Sequence, residues 1–207
     1  YFKEVILNEI KENGRNTENY YEINDWNSIF NENAEQKIEN IIKVITDHKI
    51  SKDFQEEIES TVKDRKYYAV RSSSIEEDSS SFSFAGQFET FLYIKKENMI
   101  EKIKDVWISS FSSHVMKYRK EGSINNEINV PAVIIQEMIN SDKAGVGFSV
   151  NPVNGNYDEA VISGTYGLGT SIVDGDENGD LFIYDKKTKK IKKEIRTKKI
   201  RQVLDFE

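Results

Sequence analysis

The chain has 207 residues, 37% of them hydrophobic and 31% charged, which suits a folded protein with a real core in one large domain or two small lobes. Its net charge of −7 argues against nucleic acid as a partner, because phosphate backbones are bound by basic surfaces. With no cysteine, disulfides and thiolate metal sites are excluded; His48 and His114 alone make a zinc site a poor expectation, and no apolar run reaches the ~20 residues of a membrane helix.

A cytoplasmic protein is the expectation. The opening Tyr1 and the unpunctuated end at Glu207 read as a piece of a longer polypeptide. Residues 1–33 mix a short apolar start with an Asn- and Glu-rich segment and predict no single element. Ile38, Ile41, Ile42 and Ile45 then predict an amphipathic helix over 34–48, and Phe54, Ile58 and Val62 a second one ending near Asp64. A strand at about 66–72 stops abruptly at Arg71 and Ser72–Ser74, and a serine-rich loop leads to a strand at Thr90–Ile94. The spacing of Ile100, Ile103, Val106, Trp107, Phe111, Val115 and Tyr118 predicts one long helix over 97–119.

Beyond Pro131 the character changes to strands. Residues 132–139 are almost continuously apolar, the pattern of a strand covered on both faces. Further strands are expected at 147–150, 159–162, 181–184 and 191–195, with Asn154-Gly155 and Asn178-Gly179 as turn signals. The lysine-rich stretch 186–199, interrupted by Ile191 and Ile195, reads as a solvated edge hairpin. Helices first and strands later, without βαβ alternation, give an α+β fold.

Three places carry chemistry. Arg71 is a fixed cation at a strand end, followed by small hydroxyl residues, an arrangement that suits an anionic ligand approaching the backbone closely. Glu137 costs free energy inside an apolar strand unless it is paired or faces a polar cleft. Tyr166-Gly-Leu-Gly169 is glycine-rich, yet Gly-x-Gly alone is a weak phosphate signal and a tight turn is its plainer meaning. His114, without an orienting partner in view, reads as a surface residue.

Residues 70–90, Val-Arg-Ser-Ser-Ser-Ile-Glu-Glu-Asp through Ser-Phe-Ala-Gly-Gln-Phe-Glu-Thr, resemble a signature of the nucleotide-binding domain of phosphoenolpyruvate synthase, pyruvate phosphate dikinase and rifampicin phosphotransferase. Ser141–Pro152 resembles that family's Ser-Asp-Lys…Asn-Pro hairpin, and Tyr166-Gly-Leu-Gly169 its Trp-Gly-Leu-Gly-Glu element. Ser163 and Thr170 depart from the family, which usually has glutamates at those places. The resemblance covers about residues 67–200.

It implies an incomplete ATP-grasp-like nucleotide-binding domain, with helices preceding mixed β-sheet subdomains. Residues 1–65 would be a helical lead-in and 66–207 the nucleotide-binding region, truncated at both ends. Arg71 is implied as catalytic residue and phosphate binder, with Ser72 and Ser73 beside it and Gly86 and Thr90 in a covering loop. Gln136, Glu137 and Met138 would form the adenine side, Gln136 reading the base from across a cleft and Met138 supplying an apolar wall. ATP and Mg2+ are the implied cofactors, the metal ligands lying outside this chain. The implied function is the ATP domain of a dikinase-type phosphotransferase, passing phosphate to a histidine on a separate domain and then to an acceptor-binding domain. By itself the chain would be inactive. A divergent non-catalytic nucleotide-binding or scaffold module, or the ATP domain of a rifampicin-type antibiotic phosphotransferase, remain open alternatives at this point. Nucleic acid and membrane are not expected partners.

Overall fold

The computed structural model describes residue 29 and residues 34–64, 66–74, 89–121, 131–173 and 179–204. Two compact units divide the chain, Tyr1–Met138 and Ile139–Glu207. Among the described residues, no helix is long and apolar enough to cross a membrane.

In the first unit, helix α1 (Ala34–Asp47) is followed by α2 (Lys52–Thr61), strand β1 (Tyr68–Ser73) and strand β2 (Thr90–Ile94). A 3-10 turn at Lys96–Asn98 leads into α3 (Met99–Ser109), α4 (Ser113–Glu121) and β3 (Ala132–Glu137). α2 starts where Ser51 caps it: its hydroxyl accepts from the Phe54 amide, and Asp53 complements the helix dipole in the first turn. α1 has no basic residue in its last turn. Lys104 from α3 serves instead, donating to the carbonyls of Thr46 at 2.7 Å and His48 at 2.6 Å.

The three strands pair antiparallel in the order β2-β1-β3. One face of this sheet is packed by helices. Val70, Ile41, Ile45, Met99, Ile103, Val106 and Phe111 lie in a single buried cluster. A fully buried side chain of this size contributes about 1.5–3 kcal/mol, so this face is the unit's main source of stability. Trp107 joins it at the rim, its indole N–H donating to the Pro131 carbonyl at 3.1 Å.

The single helix expected over 97–119 is two helices. Ser109 turns its hydroxyl back to the Val106 carbonyl at 2.7 Å, and Ser112 accepts from the Val115 amide, capping α4. Serine hydroxyls of this kind compete with the helical ladder and end it. Phe111 stays buried in the intervening turn, which is why the apolar spacing runs on unbroken through the interruption.

β3 also differs from expectation. It alternates, with Ala132, Ile134 and Gln136 exposed and Val133 and Ile135 packed against the core. The reason is its place at the sheet edge, where the described helices pack on one side only. The strand ends at Glu137, although the Met138 amide still donates to the Tyr67 carbonyl at 2.7 Å.

The second unit is a four-stranded sheet in the order β4-β5-β6-β7, with β4 at Lys143–Phe148, β5 at Glu159–Tyr166, β6 at Asp180–Asp185 and β7 at Ile191–Glu194. A one-turn helix, α5, occupies Thr170–Val173. All named strand pairs in both sheets are antiparallel, so the sheets are not mixed among the described residues. β4 begins earlier than the expected 147–150 because its ladder with β5 runs from Lys143 opposite Tyr166 to Phe148 opposite Val161. Between these strands, Asn151, Asn154 and Asn156 each accept a backbone N–H two residues on, which gives the loop its shape. The β6–β7 turn closes on Asp185, whose carboxylate accepts from the amides of Lys187 and Thr188. These bonds hold the Asp185 carboxyl below its ordinary value.

Candidate functional site

Residues directly opposed on neighbouring strands share a sheet face. Arg71 stands opposite Thr90 on one side and Ile134 on the other, Ser73 opposite Ala132, and Ala69 opposite Gln136. Arg71, Ser73, Thr90 and Gln136 therefore lie on one face, and all four are exposed. It is the face that the described helices leave open. Arg71 and Gln136 are diagonal neighbours on adjacent strands, a relation that places residues roughly 7–8 Å apart. They share a surface and do not oppose each other across a cleft.

Ile134 belongs to the same face, 49% exposed and directly opposite Arg71. The sequence hid it inside an apolar run; only the register shows that this isoleucine is left outside. The open face thus carries a cation, hydroxyls, an amide and an apolar patch together.

Two expected site residues fall elsewhere. Ser72 stands opposite Val133 on the core-facing side and is half-buried. Glu137, opposite Tyr68, is likewise on that side and forms an ion pair with Lys66 at 2.8 Å. The hydrogen bond from Lys66 holds the Glu137 carboxyl below its ordinary value, and the same bond raises Lys66. The pairing Glu137 needed is met by a lysine at the head of β1. Gly86 lies outside the described residues.

Met138 is tied at both ends. Its amide is bonded to Tyr67, and its sulfur accepts from the Tyr93 amide at 3.2 Å. Tyr93 has φ 61, in the left-handed region.

The Tyr166–Gly169 turn is closed by its own unit. Gly167 (φ +76) forms a parallel bridge with Gln202, and a Cβ at Gly167 would collide with the Gln202 carbonyl. That carbonyl also accepts from the Leu168 amide at 2.9 Å, while Ser141 donates to the Gly167 carbonyl at 2.9 Å. The Thr170 hydroxyl donates to the Gln202 side-chain oxygen. Thr170, one of the two departures from the family pattern, is thus a structural partner of Gln202. No sequence signal singled out Gln202. The other departure, Ser163, sits within β5 opposite Val146 and Leu181.

His114 is exposed on α4, as its sequence context suggested. Among the described residues, no group of three or more histidine or carboxylate side chains is placed to hold a metal ion.

The described residues form an α+β fold of helices and antiparallel sheets, which is consistent with a nucleotide-binding domain. Residues 3–207 match the family described as pyruvate phosphate dikinase, AMP/ATP-binding domain, and the chain belongs to that family. The match includes residues 3–65, for which residue patterns alone offered no family signal. The chain is 45% identical over 135 residues to an uncharacterized phosphotransferase, YvkC, of Bacillus subtilis, covering 64% of this chain and 16% of that protein. It is 41% identical over 139 residues to a probable phosphoenolpyruvate synthase of Pyrococcus horikoshii, 66% of this chain and 17% of the other. Against the phosphoenolpyruvate synthase of Pyrococcus furiosus the identity is 41% over 135 residues, 64% and 16% of the two chains. The matched region thus spans only about a sixth of these relatives' length.

Proposed function

We propose that this chain is the ATP-binding part of a dikinase-type phosphotransferase with an ATP-grasp-like site on the open face of the first sheet. The observation that carries this reading is the shared face of Arg71, Ser73, Thr90, Ile134 and Gln136. A nucleoside triphosphate has an anionic end and a flat, hydrogen-bonding end, and this face offers a partner for each. Arg71 neutralises phosphate charge, Ser73 and Thr90 donate hydroxyl hydrogen bonds, and Ile134 gives an apolar seat beside the Gln136 amide. Transfer in such a site rests on positioning and charge stabilisation, with little covalent work for the protein. Mg2+, when bound with the nucleotide, supplies further charge neutralisation, its carboxylate ligands coming from outside the described residues.

The names of the relatives favour a phosphoryl acceptor of the phosphoenolpyruvate synthase type. In the whole protein, a histidine on another domain would receive the phosphate and pass it on.

The test is calorimetric titration of ATP into the full-length protein and its Arg71→Ala variant. Affinity should fall by about one to two powers of ten, since a charge-assisted contact contributes roughly 1.5–3 kcal/mol. Unchanged affinity in a folded variant would remove Arg71 from the site.

A further inference from the structure

We propose that the strained bulge in β2 at Tyr93 is a positioning device that holds Met138 as the wall of the base-binding end of the site. The proposal rests on the reading of the open face given above, with Met138 as the apolar wall the family resemblance implies; what it adds is the positioning role of Tyr93.

Between the paired positions Tyr68–Ile94 and Val70–Phe91, β1 contributes one residue and β2 contributes two, Leu92 and Tyr93. The extra residue makes a bulge, and Tyr93 takes φ 61 there. For a bulky side chain this is a genuine outlier, in a region that glycine or asparagine occupies at little cost. Tyr93 is 40% exposed, so burial of its ring does not account for the conformation.

What the conformation does is aim a backbone N–H. The Tyr93 amide donates to the Met138 sulfur at 3.2 Å, across the central strand of the sheet. A thioether is a weak acceptor, so the bond's value lies in direction more than in strength. Met138 is already anchored by its amide at Tyr67. With the sulfur held as well, a side chain that ordinarily samples three rotatable bonds is confined to a bar across the sheet.

Alternation from Gln136 puts Met138 on the Gln136 side of β3. A polarisable, apolar bar beside an amide suits a flat heteroaromatic ring. Fixing it before the ligand arrives removes an ordering cost from binding. The bulge thus makes the base end of the site rigid, while Arg71 addresses the phosphates.

The experiment compares ATP with CTP, whose smaller ring covers less of such a wall, by titration into the full-length protein. Met138→Leu removes the acceptor at similar volume, and Tyr93→Val disfavours the positive φ. Each should lower the ATP-over-CTP preference about three- to tenfold. Tyr93→Gly and Tyr93→Asn keep the N–H and tolerate the conformation, so both should retain the preference. An unchanged ratio in folded Met138→Leu would overturn the inference, and that variant decides the matter should Tyr93→Val fail to fold. Loss of the preference in Tyr93→Gly and Tyr93→Asn would assign the effect to the ring and overturn it too. Arg71→Ala, which should weaken both nucleotides alike, reports separately on the site: if it leaves ATP binding untouched, the open-face reading itself fails.

Discussion

Two stretches of this chain carry residue types found beside phosphates, Arg71-Ser-Ser-Ser74 as the stronger signal and Tyr166-Gly-Leu-Gly169 as the weaker. The structure treats them in opposite ways. On β1, strand alternation splits the motif, turning Arg71 and Ser73 to the open face and Ser72 toward the core. In the second unit Gly167 admits a neighbour that is already present, the Gln202 backbone. Glycine permits close approach, and here what approaches is the protein's own chain. A site is therefore distinguished from a clasp by whether the space beside the backbone is left open.

The sharpest way to break this comparison is Gly167→Ala. It forces an L-residue into φ +76 and drives its Cβ into the Gln202 carbonyl, so urea unfolding should show a loss of roughly 3 kcal/mol or more. Gly155→Ala is the control. It shares the left-handed conformation at φ +71 but has open space around it, and should cost only about 1 kcal/mol. Equal losses for the two would mean the Gln202 contact adds nothing.

Arg71→Ala is the counterpart on β1. It should alter nucleotide affinity as described above while moving folding stability by less than about 0.5 kcal/mol, because the side chain is exposed. Gln136→Ala should leave affinity largely in place and narrow the preference for ATP over GTP, measured by competition in the full-length protein.

The smallest effect concerns Glu137. Its carboxyl lies below the ordinary 4.5 through the Lys66 hydrogen bond, so the pair's stabilisation is complete above that pH. It is lost as pH falls through the lowered value. At the alkaline end it fades only as pH rises through the raised value of Lys66. The difference in thermal midpoint between wild type and Lys66→Met should accordingly shrink from about pH 7 to about pH 3, and salt should reduce it throughout. A difference that grows on acidification would mean Glu137 is not the partner that matters.

Much of the fold was legible because apolar spacing reports burial directly: Ile41 and Ile45 in α1, Ile58 in α2, and Val70 in β1 fall where the periodicity puts them. The helix break at Ser109–Ser113 was not, because Phe111 keeps the apolar rhythm while serine hydroxyls undo the ladder. The residues of the proposed site divide along the same line. Arg71 is visible as an isolated cation at the end of an apolar strand. Ile134 is invisible, since one-sided burial of β3 depends on which strand it pairs with and on where the helices lie. Tyr93 is hidden for a different reason: a bulge is a mismatch between two strands, and neither strand contains it alone.

The Lys104 ammonium has a bearing on how the molecule assembles. It reaches back 58 residues to the Thr46 carbonyl, so the end of the first helix is written in the third. Short isolated helices are marginal in water, and α1 has 14 residues and no basic residue in its last turn. The completion of its C-terminal end therefore draws on α3, which couples helix capping to docking. On a nascent chain, the Thr46 and His48 carbonyls would gain this partner only after Lys104 has been synthesised and brought to them.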